Sequence, residues 1–238
     1  MEYQEIAEQI KESPALLIGI GGELQVKPEE AGADAVNIDY AAGLLRLEAC
    51  GGQALIPYRR AYDTLRRLTK EKDYFIVSTN TDGMAERMGL DTERLVSPCG
   101  SVFRMQCEEP EHGVWEIREA LLSGGSTDCP VCGRPGKLNI FDSKPYNEAG
   151  YLRQWEAYTK WLQKTVNRPL FLLELGEGFG TPTVIRWPFE KIAYINRKAV
   201  FVRVNKSLPQ LTKELKERAY SFREDSMDFL GKIAELFR

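Results

Sequence analysis

The fold is decided by residues 15–22, which read Ala15-Leu16-Leu17-Ile18-Gly19-Ile20-Gly21-Gly22. A short, unbroken apolar run is typical of a strand that is buried on both faces of a parallel sheet. The glycines at its end predict a loop in which the backbone can approach a ligand closely. We therefore expect this stretch to be a buried parallel strand with a binding loop at its carboxyl end.

Three further strand-like runs end in glycines or in polar residues. They are residues 73–79 before Asn80 and Asp82, residues 170–175 before Gly176 and Gly178, and residues 199–204 before Asn205. Ligands of open parallel sheets bind outside the carboxyl ends of the strands. Glycine loops that lead into helix N-termini suit a phosphate group there. The pattern thus predicts a nucleotide ligand at one edge of a sheet.

Helical periodicity separates the strands. The predicted helices are residues 2–10, 58–68 and 152–166, a helix from Thr181 interrupted at Pro188, and two terminal helices over 208–220 and 227–237. Strands that alternate with helices favour an α/β fold. We predict a Rossmann-like parallel sheet with helices on both faces, formed by residues 1–96 and 147–238.

Composition excludes several classes of protein. The chain has 238 residues, 43% of them hydrophobic and 28% charged, which is typical of a globular protein. A net charge of -3 argues against general nucleic-acid binding. The apolar runs fall far short of the roughly 20 residues that cross a bilayer. A polar N-terminal segment is unlike a secretion signal, so we expect a cytoplasmic protein that binds neither nucleic acid nor membrane.

Residues 97–146 interrupt the α/β pattern and predict a small inserted zinc-ribbon module. Within them Cys129 and Cys132, separated by two residues and followed by Gly133, form half of a typical zinc site. Cys107 and His112, the single histidine of the chain, can supply the other half. This set leaves no open coordination position, so the ion would be structural. Two alternatives stay open: a ribbon that has lost its metal, or a nearby glutamate in place of His112.

In their order, these motifs resemble the sirtuins. The resemblance is carried by the first glycine loop, residues 79–83 (Thr-Asn-Thr-Asp-Gly), the cysteine-bearing insert and a strand that ends in asparagine. The second half is most similar to the macrodomain-linked sirtuins, called class M, through residues 173–182, Pro188-Phe189, and residues 129–135.

The resemblance implies an NAD-binding domain with an inserted zinc module. It implies cleavage of the bond between nicotinamide and ribose, with ADP-ribose passed to an acyl-lysine or, in class M, to a protein acceptor. A protein substrate and a separately encoded macrodomain hydrolase are the implied partners. The implied site residues are Asn80 at the nicotinamide ribose, Asp82 at the nicotinamide amide, Gly19 and Gly21 at the phosphates, Gly176 and Thr181 in the later nucleotide loop, and Asn205 near the adenosine ribose.

Two residues depart from the family pattern. Cys99 stands where deacylating sirtuins have a catalytic histidine and class M members have glutamine. It is a candidate catalytic thiol or a spacer, because a thiol of ordinary pKa is a poor base near neutral pH. Glu23 follows the first glycine loop, where a carboxylate would oppose pyrophosphate binding unless it faces away. These departures make histidine-dependent deacetylation an unfavourable interpretation.

Three functions fit the sequence. The first is an NAD-dependent protein ADP-ribosyltransferase, in which Asn80 and Asp82 organise cleavage and the acceptor attacks the ribose directly. The second is a relative without turnover that binds NAD, ADP-ribose or a modified protein. The third is a slow NAD hydrolase or deacylase with unusual residues. We favour the first.

Overall fold

A computed structural model describes residues 2–215 and 218–237. In chain order the elements are α1 (Tyr3–Glu12), β1 (Ala15–Ile20), α2 (Ile38–Ala49), α3 (Ile56–Thr69), β2 (Asp73–Ser78), α4 (Met84–Arg87), β3 (Leu95–Val96), β4 (Gly100–Gln106), β5 (Val114–Glu116), α5 (Arg118–Ser123), β6 (Lys137–Ile140), α6 (Leu152–Lys164), β7 (Leu170–Leu175), α7 (Arg186–Ile195), β8 (Ala199–Val204), β9 (Ala219–Phe222) and α8 (Ser226–Leu236). No helix within the described residues combines the length and the apolar character needed to cross a membrane.

Six strands form one parallel sheet in the order β3-β2-β1-β7-β8-β9. From β1 the chain moves outward to β2 and β3, and from β7 it moves in the opposite direction to β8 and β9. The strand order therefore reverses between β1 and β7. At such a reversal the loops that leave the two strands diverge and open a crevice, which places a ligand site at the carboxyl ends of β1 and β7.

The sheet is buried on both faces, as the apolar runs predicted. All six residues of β1 and all six of β7 are buried. Alternate side chains contribute to two separate cores: Leu16, Ile18 and Ile20 pack with helices α1, α2, α3 and α8, whereas Ala15 and Leu17 pack with α6 and α7. Because side chains alternate along a strand, an unbroken apolar run is what two covered faces require. The predicted α/β fold is confirmed.

A second sheet lies within residues 97–146. It is antiparallel, with the strand order β5-β4-β6. Val102 and Phe103 from β4 and Ile140 from β6 join the core on the α2–α3 face of the main sheet. The small sheet is thus packed onto the larger one by apolar contacts. The exact limits of the two units, 1–96 with 147–238 and 97–146, stay a prediction.

The predicted helix over residues 208–220 is wrong over the part that the structure describes. That segment holds a single 3-10 turn, Lys213–Leu215, and then enters strand β9 at Ala219; residues 216–217 lie outside the described residues. Tertiary contacts override the local pattern, because buried arginines bind the Leu208 and Gln210 carbonyls and β8 pairs with β9.

The helix predicted from Thr181 begins later, at Arg186. Pro188 therefore falls in its first turn, where the missing N–H of proline would have had no helical partner. The expected interruption at Pro188 does not occur, and α7 runs without a break to Ile195.

Candidate functional site

A pocket of about 350 Å³ opens at the carboxyl ends of β1, β2, β7 and β8. It lies at the reversal of strand order, where the sequence predicted a ligand site. Its lining consists of Gly22, Glu23, Gln25, Lys27, Thr79, Asn80, Gly176, Glu177, Gly178, Gly180, Thr181, Asn205 and Leu208. Of the predicted nucleotide-binding residues, Asn80, Gly176, Thr181 and Asn205 line this pocket.

Asn80 presents an unsatisfied carboxamide. Its side chain is only 4% exposed, and neither Oδ1 nor Nδ2 has a hydrogen-bond partner of normal geometry among the described residues. The hydroxyl of Tyr62 is also buried, and it too has no hydrogen bond of normal geometry among the described residues. Burial raises the pKa of Tyr62, and the neighbouring Asn80 amide partly offsets this rise. Leaving a buried amide unpaired costs roughly 1–3 kcal/mol per group, so this carboxamide is suited to a polar ligand.

Both carboxylate oxygens of Asp82 accept hydrogen bonds from the protein backbone. Its side chain is fully buried, Oδ2 accepts a hydrogen bond from the Val26 N–H at 2.9 Å, and Oδ1 accepts one from the Met84 N–H at 3.0 Å. Burial raises the pKa of Asp82 to about 6, against the opposing effect of these two bonds. Asp82 thus ties the loop after β2 to the segment after β1 and lies behind the pocket wall.

Close packing explains why the predicted phosphate-loop positions are glycine, because a side chain there would collide with neighbouring atoms. A Cβ atom on Gly21 would lie 2.4 Å from the Glu177 Cα, and one on Gly19 would lie 2.5 Å from the Ile185 Cγ2. Gly176 has φ +67° and faces the Glu23 side chain. The absence of side chains at Gly21 and Gly176 lets the segments that follow β1 and β7 approach each other closely. The glycines therefore shape the crevice, and their presence does not by itself identify a phosphate site.

Cys99 lies next to the pocket and contacts its lining. The Cys99 Sγ is 3.9 Å from the Thr181 Oγ1, and the residue is 3% exposed. Burial raises the pKa of this thiol to about 11, although the contact with Thr181 lowers it somewhat. A thiol with that pKa stays protonated at neutral pH, which favours a spacer over a nucleophile.

Asn205 braces two loops at the far side of the pocket. Its Nδ2 donates to the Glu177 carbonyl at 2.8 Å, and its Oδ1 accepts from the N–H groups of Ser207 and Leu208 at 3.0 and 2.7 Å. The loop after β8 is thereby held against the loop after β7. This bonding gives Asn205 a structural role in addition to any contact with a ligand.

Both oxygens of the Glu23 carboxylate accept hydrogen bonds within the protein. The sequence led us to expect that this carboxylate would disfavour an anionic ligand. Its Oε1 accepts from the Lys206 N–H at 2.8 Å, and its Oε2 accepts from the N–H and hydroxyl of Ser226 at 3.0 and 2.6 Å. Ser226 is the first residue of α8, and the positive end of a helix stabilises a nearby carboxylate. Glu23 faces this helix end, which reduces its effect on a ligand in the pocket.

Glu177 is a pocket residue that the sequence did not predict. Only 2% of it is exposed, and its Oε2 accepts a hydrogen bond from the Thr79 hydroxyl at 2.6 Å. Burial raises the pKa of Glu177 to about 7. The feature of the sequence that could have identified Glu177 is its place between two glycines directly after a buried strand.

A buried ion cluster, also missed from sequence, supports the pocket from behind. Arg203 on β8 binds Glu174 on β7 through two hydrogen bonds of 2.6 and 2.9 Å, and both side chains are fully buried. Arg203 also binds Glu190 of α7 at 2.7 Å. Arg186 donates to the carbonyls of Glu177 and Leu208 at 3.1 and 3.0 Å. The cluster fixes the loops after β7 and β8 relative to each other.

The four predicted metal ligands come together in one cluster. The ligand atoms of Cys107, His112, Cys129 and Cys132 all lie within 4.8 Å of one another. Cys107 Sγ is 3.3 Å from His112 Nδ1 and 3.8 Å from Cys132 Sγ, and Cys129 Sγ is 3.6 Å from His112 Nδ1. Tetrahedral zinc with Zn–S bonds of about 2.3 Å separates its sulfurs by about 3.8 Å. The geometry and the donor set therefore fit a structural zinc ion.

Two of the three neighbouring glutamates form ion pairs outside the cluster. Glu109 binds Arg134 at 2.7 Å and Glu108 binds Lys137 at 2.8 Å, so neither takes the place of His112. Arg134 also donates to the Cys132 Sγ at 3.4 Å. This hydrogen bond lowers the pKa of the Cys132 thiol to about 6, which favours the thiolate that a metal binds.

The chain matches no protein-family model. It is 23% identical over 184 residues to a protein ADP-ribosyltransferase of Staphylococcus aureus strain Mu50, a match that covers 71% of this chain and 58% of that protein. It is 27% identical over 161 residues to a probable bifunctional ADP-ribose hydrolase/ADP-ribosyltransferase of Fusarium oxysporum f. sp. cubense, covering 59% of this chain and 25% of that one. The matched regions are therefore only part of each of these longer proteins.

Solved sirtuin structures share the fold. A structure of Sir2Tm bound to a propionylated peptide has a TM-score of 0.61 and 16% identity, with 99% of this chain and 98% of the other covered. A structure of Sir2 with a p53 peptide and NAD+ has a TM-score of 0.58 and 15% identity over the same shares of the two chains. The protein therefore has the sirtuin fold.

Proposed function

We propose that this protein is an NAD-dependent protein ADP-ribosyltransferase, and that NAD binds in the pocket at the reversal of strand order. The observation that carries the proposal is the buried Asn80 carboxamide at the pocket wall, which has no hydrogen bond of normal geometry to any residue that the structure describes. Two relatives named as ADP-ribosyltransferases support the transferase class.

In this reaction Asn80 holds the ribose that bears nicotinamide. Breaking the bond between nicotinamide and ribose develops positive charge on the ribose, and polar groups already in place lower the energy of that state. Among the described residues, the Asn80 carboxamide has the Tyr62 hydroxyl as a neighbour but no hydrogen bond of normal geometry, so its bonding capacity is left for a ligand. Thr181 and Asn205 also line the pocket and would contact the remainder of the nucleotide.

Asp82 acts on this site through the backbone. By accepting the Val26 and Met84 N–H groups it holds the loop that carries Asn80. The resemblance implies that Asp82 contacts the nicotinamide amide. For that contact the ligand must reach a carboxylate that lies behind the pocket wall. We therefore assign Asp82 a positioning role in the first place.

Zinc, held by Cys107, His112, Cys129 and Cys132, would cross-link the loops of the small sheet. All four of its coordination positions are filled by protein atoms, so the ion supplies stability and no chemistry. The acceptor is a protein side chain. A separately encoded hydrolase that removes ADP-ribose is a fitting partner, since the relative from Fusarium oxysporum f. sp. cubense is named for both activities.

The test measures nicotinamide release and label retention together. The protein is incubated with NAD labelled in the adenylate part and with candidate acceptor proteins. Release of nicotinamide with label retained on protein supports the proposal. Asn80→Ala should abolish turnover without loss of the fold, whereas Gln154→Ala, a carboxamide change on α6, should leave turnover unchanged. Full activity of Asn80→Ala would refute the role of Asn80.

Binding of NAD without turnover is the second candidate. It is favoured by two observations: both Asp82 oxygens are bound within the protein, and the Cys99 thiol has a raised pKa. Calorimetry distinguishes the candidates, because heat of NAD binding without nicotinamide release would identify a binding protein. Free ADP-ribose or loss of an acyl group would instead identify a hydrolase or a deacylase.

A further inference from the structure

We infer that Glu177 is a catalytic residue of the proposed reaction and accepts the proton that the acceptor side chain loses. The inference rests on the proposed function. In this step the acceptor oxygen or nitrogen forms a bond to the ribose C1′, and the bond between C1′ and the nicotinamide nitrogen breaks. Nicotinamide leaves as a neutral molecule with the bonding electrons. The acceptor proton passes to the Glu177 carboxylate and from there to water.

The position of Glu177 suits this role. It follows Gly176 at the end of β7 and lines the same pocket as Asn80. Its Oε2 accepts a hydrogen bond from Thr79, the residue directly before Asn80. Its other oxygen, Oε1, has no hydrogen-bond partner among the described residues. One carboxyl oxygen is thus anchored next to Asn80, and the other is free to accept a proton.

The other titratable groups near the pocket are unsuited to accept a proton. His112 belongs to the cysteine cluster in the small sheet. The Cys99 thiol has a pKa raised to about 11 by burial. Both oxygens of Asp82 bind backbone N–H groups, and Glu23 binds three donors. Of the two carboxylates in the described pocket lining, Glu23 and Glu177, only Glu177 therefore remains.

The surroundings of Glu177 bring its pKa close to neutral pH. Burial raises its pKa to about 7, the Thr79 hydroxyl lowers it, and Glu174 on β7 raises it. Arg186 on α7 and Arg203 on β8 lower it. A base is most effective when its pKa lies near the working pH. Its negative charge would also stabilise the positive charge that develops on the ribose.

The experiment compares Glu177→Gln with Glu156→Gln, a matched change at an exposed position of α6. Glutamine keeps an oxygen that can accept the Thr79 hydrogen bond but cannot take up the proton. Nicotinamide release is measured from pH 5.5 to 8.5 for each protein. We expect kcat of Glu177→Gln to fall by roughly 100-fold or more, with KM little changed. The rise of kcat with pH, centred near 7 in the wild type and in Glu156→Gln, should disappear.

The outcomes separate this inference from the proposed function. If the wild type releases nicotinamide and Glu177→Gln keeps its kcat and pH profile, the inference fails and the proposed function stands. If the wild type releases none, both fail. If Glu177→Gln does not fold, Thr79→Val replaces it. Loss of the hydroxyl should raise the pKa of Glu177 and move the rise of kcat to higher pH, and an unmoved profile overturns the inference.

Discussion

The Thr79 hydroxyl donates a 2.6 Å hydrogen bond to the Glu177 carboxyl, which joins the end of β2 to the end of β7. Strand β1 lies between these two strands, so the bond passes over its carboxyl end. Gly21 permits this arrangement, since a side chain there would collide with the Glu177 backbone. The wall of the pocket is therefore built by residues that are 98 positions apart in the chain.

The pH dependence of stability should report on Glu177. Its pKa rises from 4.5 in the unfolded chain to about 7 in the folded protein, so the folded state binds this proton more tightly. The side chain therefore destabilises the fold as pH rises from about 4.5 to 7, by about 3 kcal/mol at most. Glu177→Gln should lose this part of the pH dependence in urea unfolding at pH 5 and pH 7.5. An identical dependence in Glu177→Gln and Glu156→Gln would contradict the raised pKa.

Zinc should stabilise the small sheet. Cys129→Ser removes one of four ligands and should lower both the zinc content and the melting temperature, since a structural metal contributes directly to folding free energy. Cys50→Ser, an exposed cysteine outside the cluster, is the control and should change neither. An unchanged melting temperature, with no zinc in the purified wild type, would instead favour a ribbon that has lost its metal.

Breaking the buried ion cluster should be strongly destabilising. Arg203→Met leaves Glu174 buried without its main partner, a change that typically costs about 3–5 kcal/mol. Arg153→Met breaks an exposed pair with Glu93 and should cost less than about 1 kcal/mol. Urea unfolding of the two variants measures the difference. If Arg203→Met lowered the free energy of unfolding as little as Arg153→Met does, Glu174 would have found another partner.

Gly21 should be intolerant of a side chain. A Cβ there would lie 2.4 Å from the Glu177 Cα, and overpacking against backbone typically costs about 1–3 kcal/mol. Gly22→Ala is the matched control, since a Cβ at Gly22 meets no atom within 4 Å. Thermal unfolding should therefore show a clear loss for Gly21→Ala and little for Gly22→Ala. Two equal melting temperatures would mean that the two loops can separate.

Local patterns predicted the elements that depend on local chemistry. The strands β1, β2, β7 and β8 were identified because a strand covered on both faces needs an unbroken apolar run. The cysteine pair Cys129 and Cys132 was identified because its spacing is that of a metal knuckle. Over its described part, the segment 208–220 was wrongly predicted as helix, because arginines of β8 and α7 bind carbonyls in it and its end pairs with β8 as strand β9.

The sequence by itself determined four strands of the sheet, the edge at which their loops gather and a set of four candidate metal ligands. Only the tertiary structure decided what each side chain at that edge does. It turned Glu23 toward the N-terminus of α8, bound Asp82 to backbone N–H groups and buried Glu177 beside Thr79. The physical reason is range: apolar periodicity acts between neighbours in the chain. The pKa and the hydrogen bonds of a buried carboxylate, in contrast, are set by residues that only folding brings together.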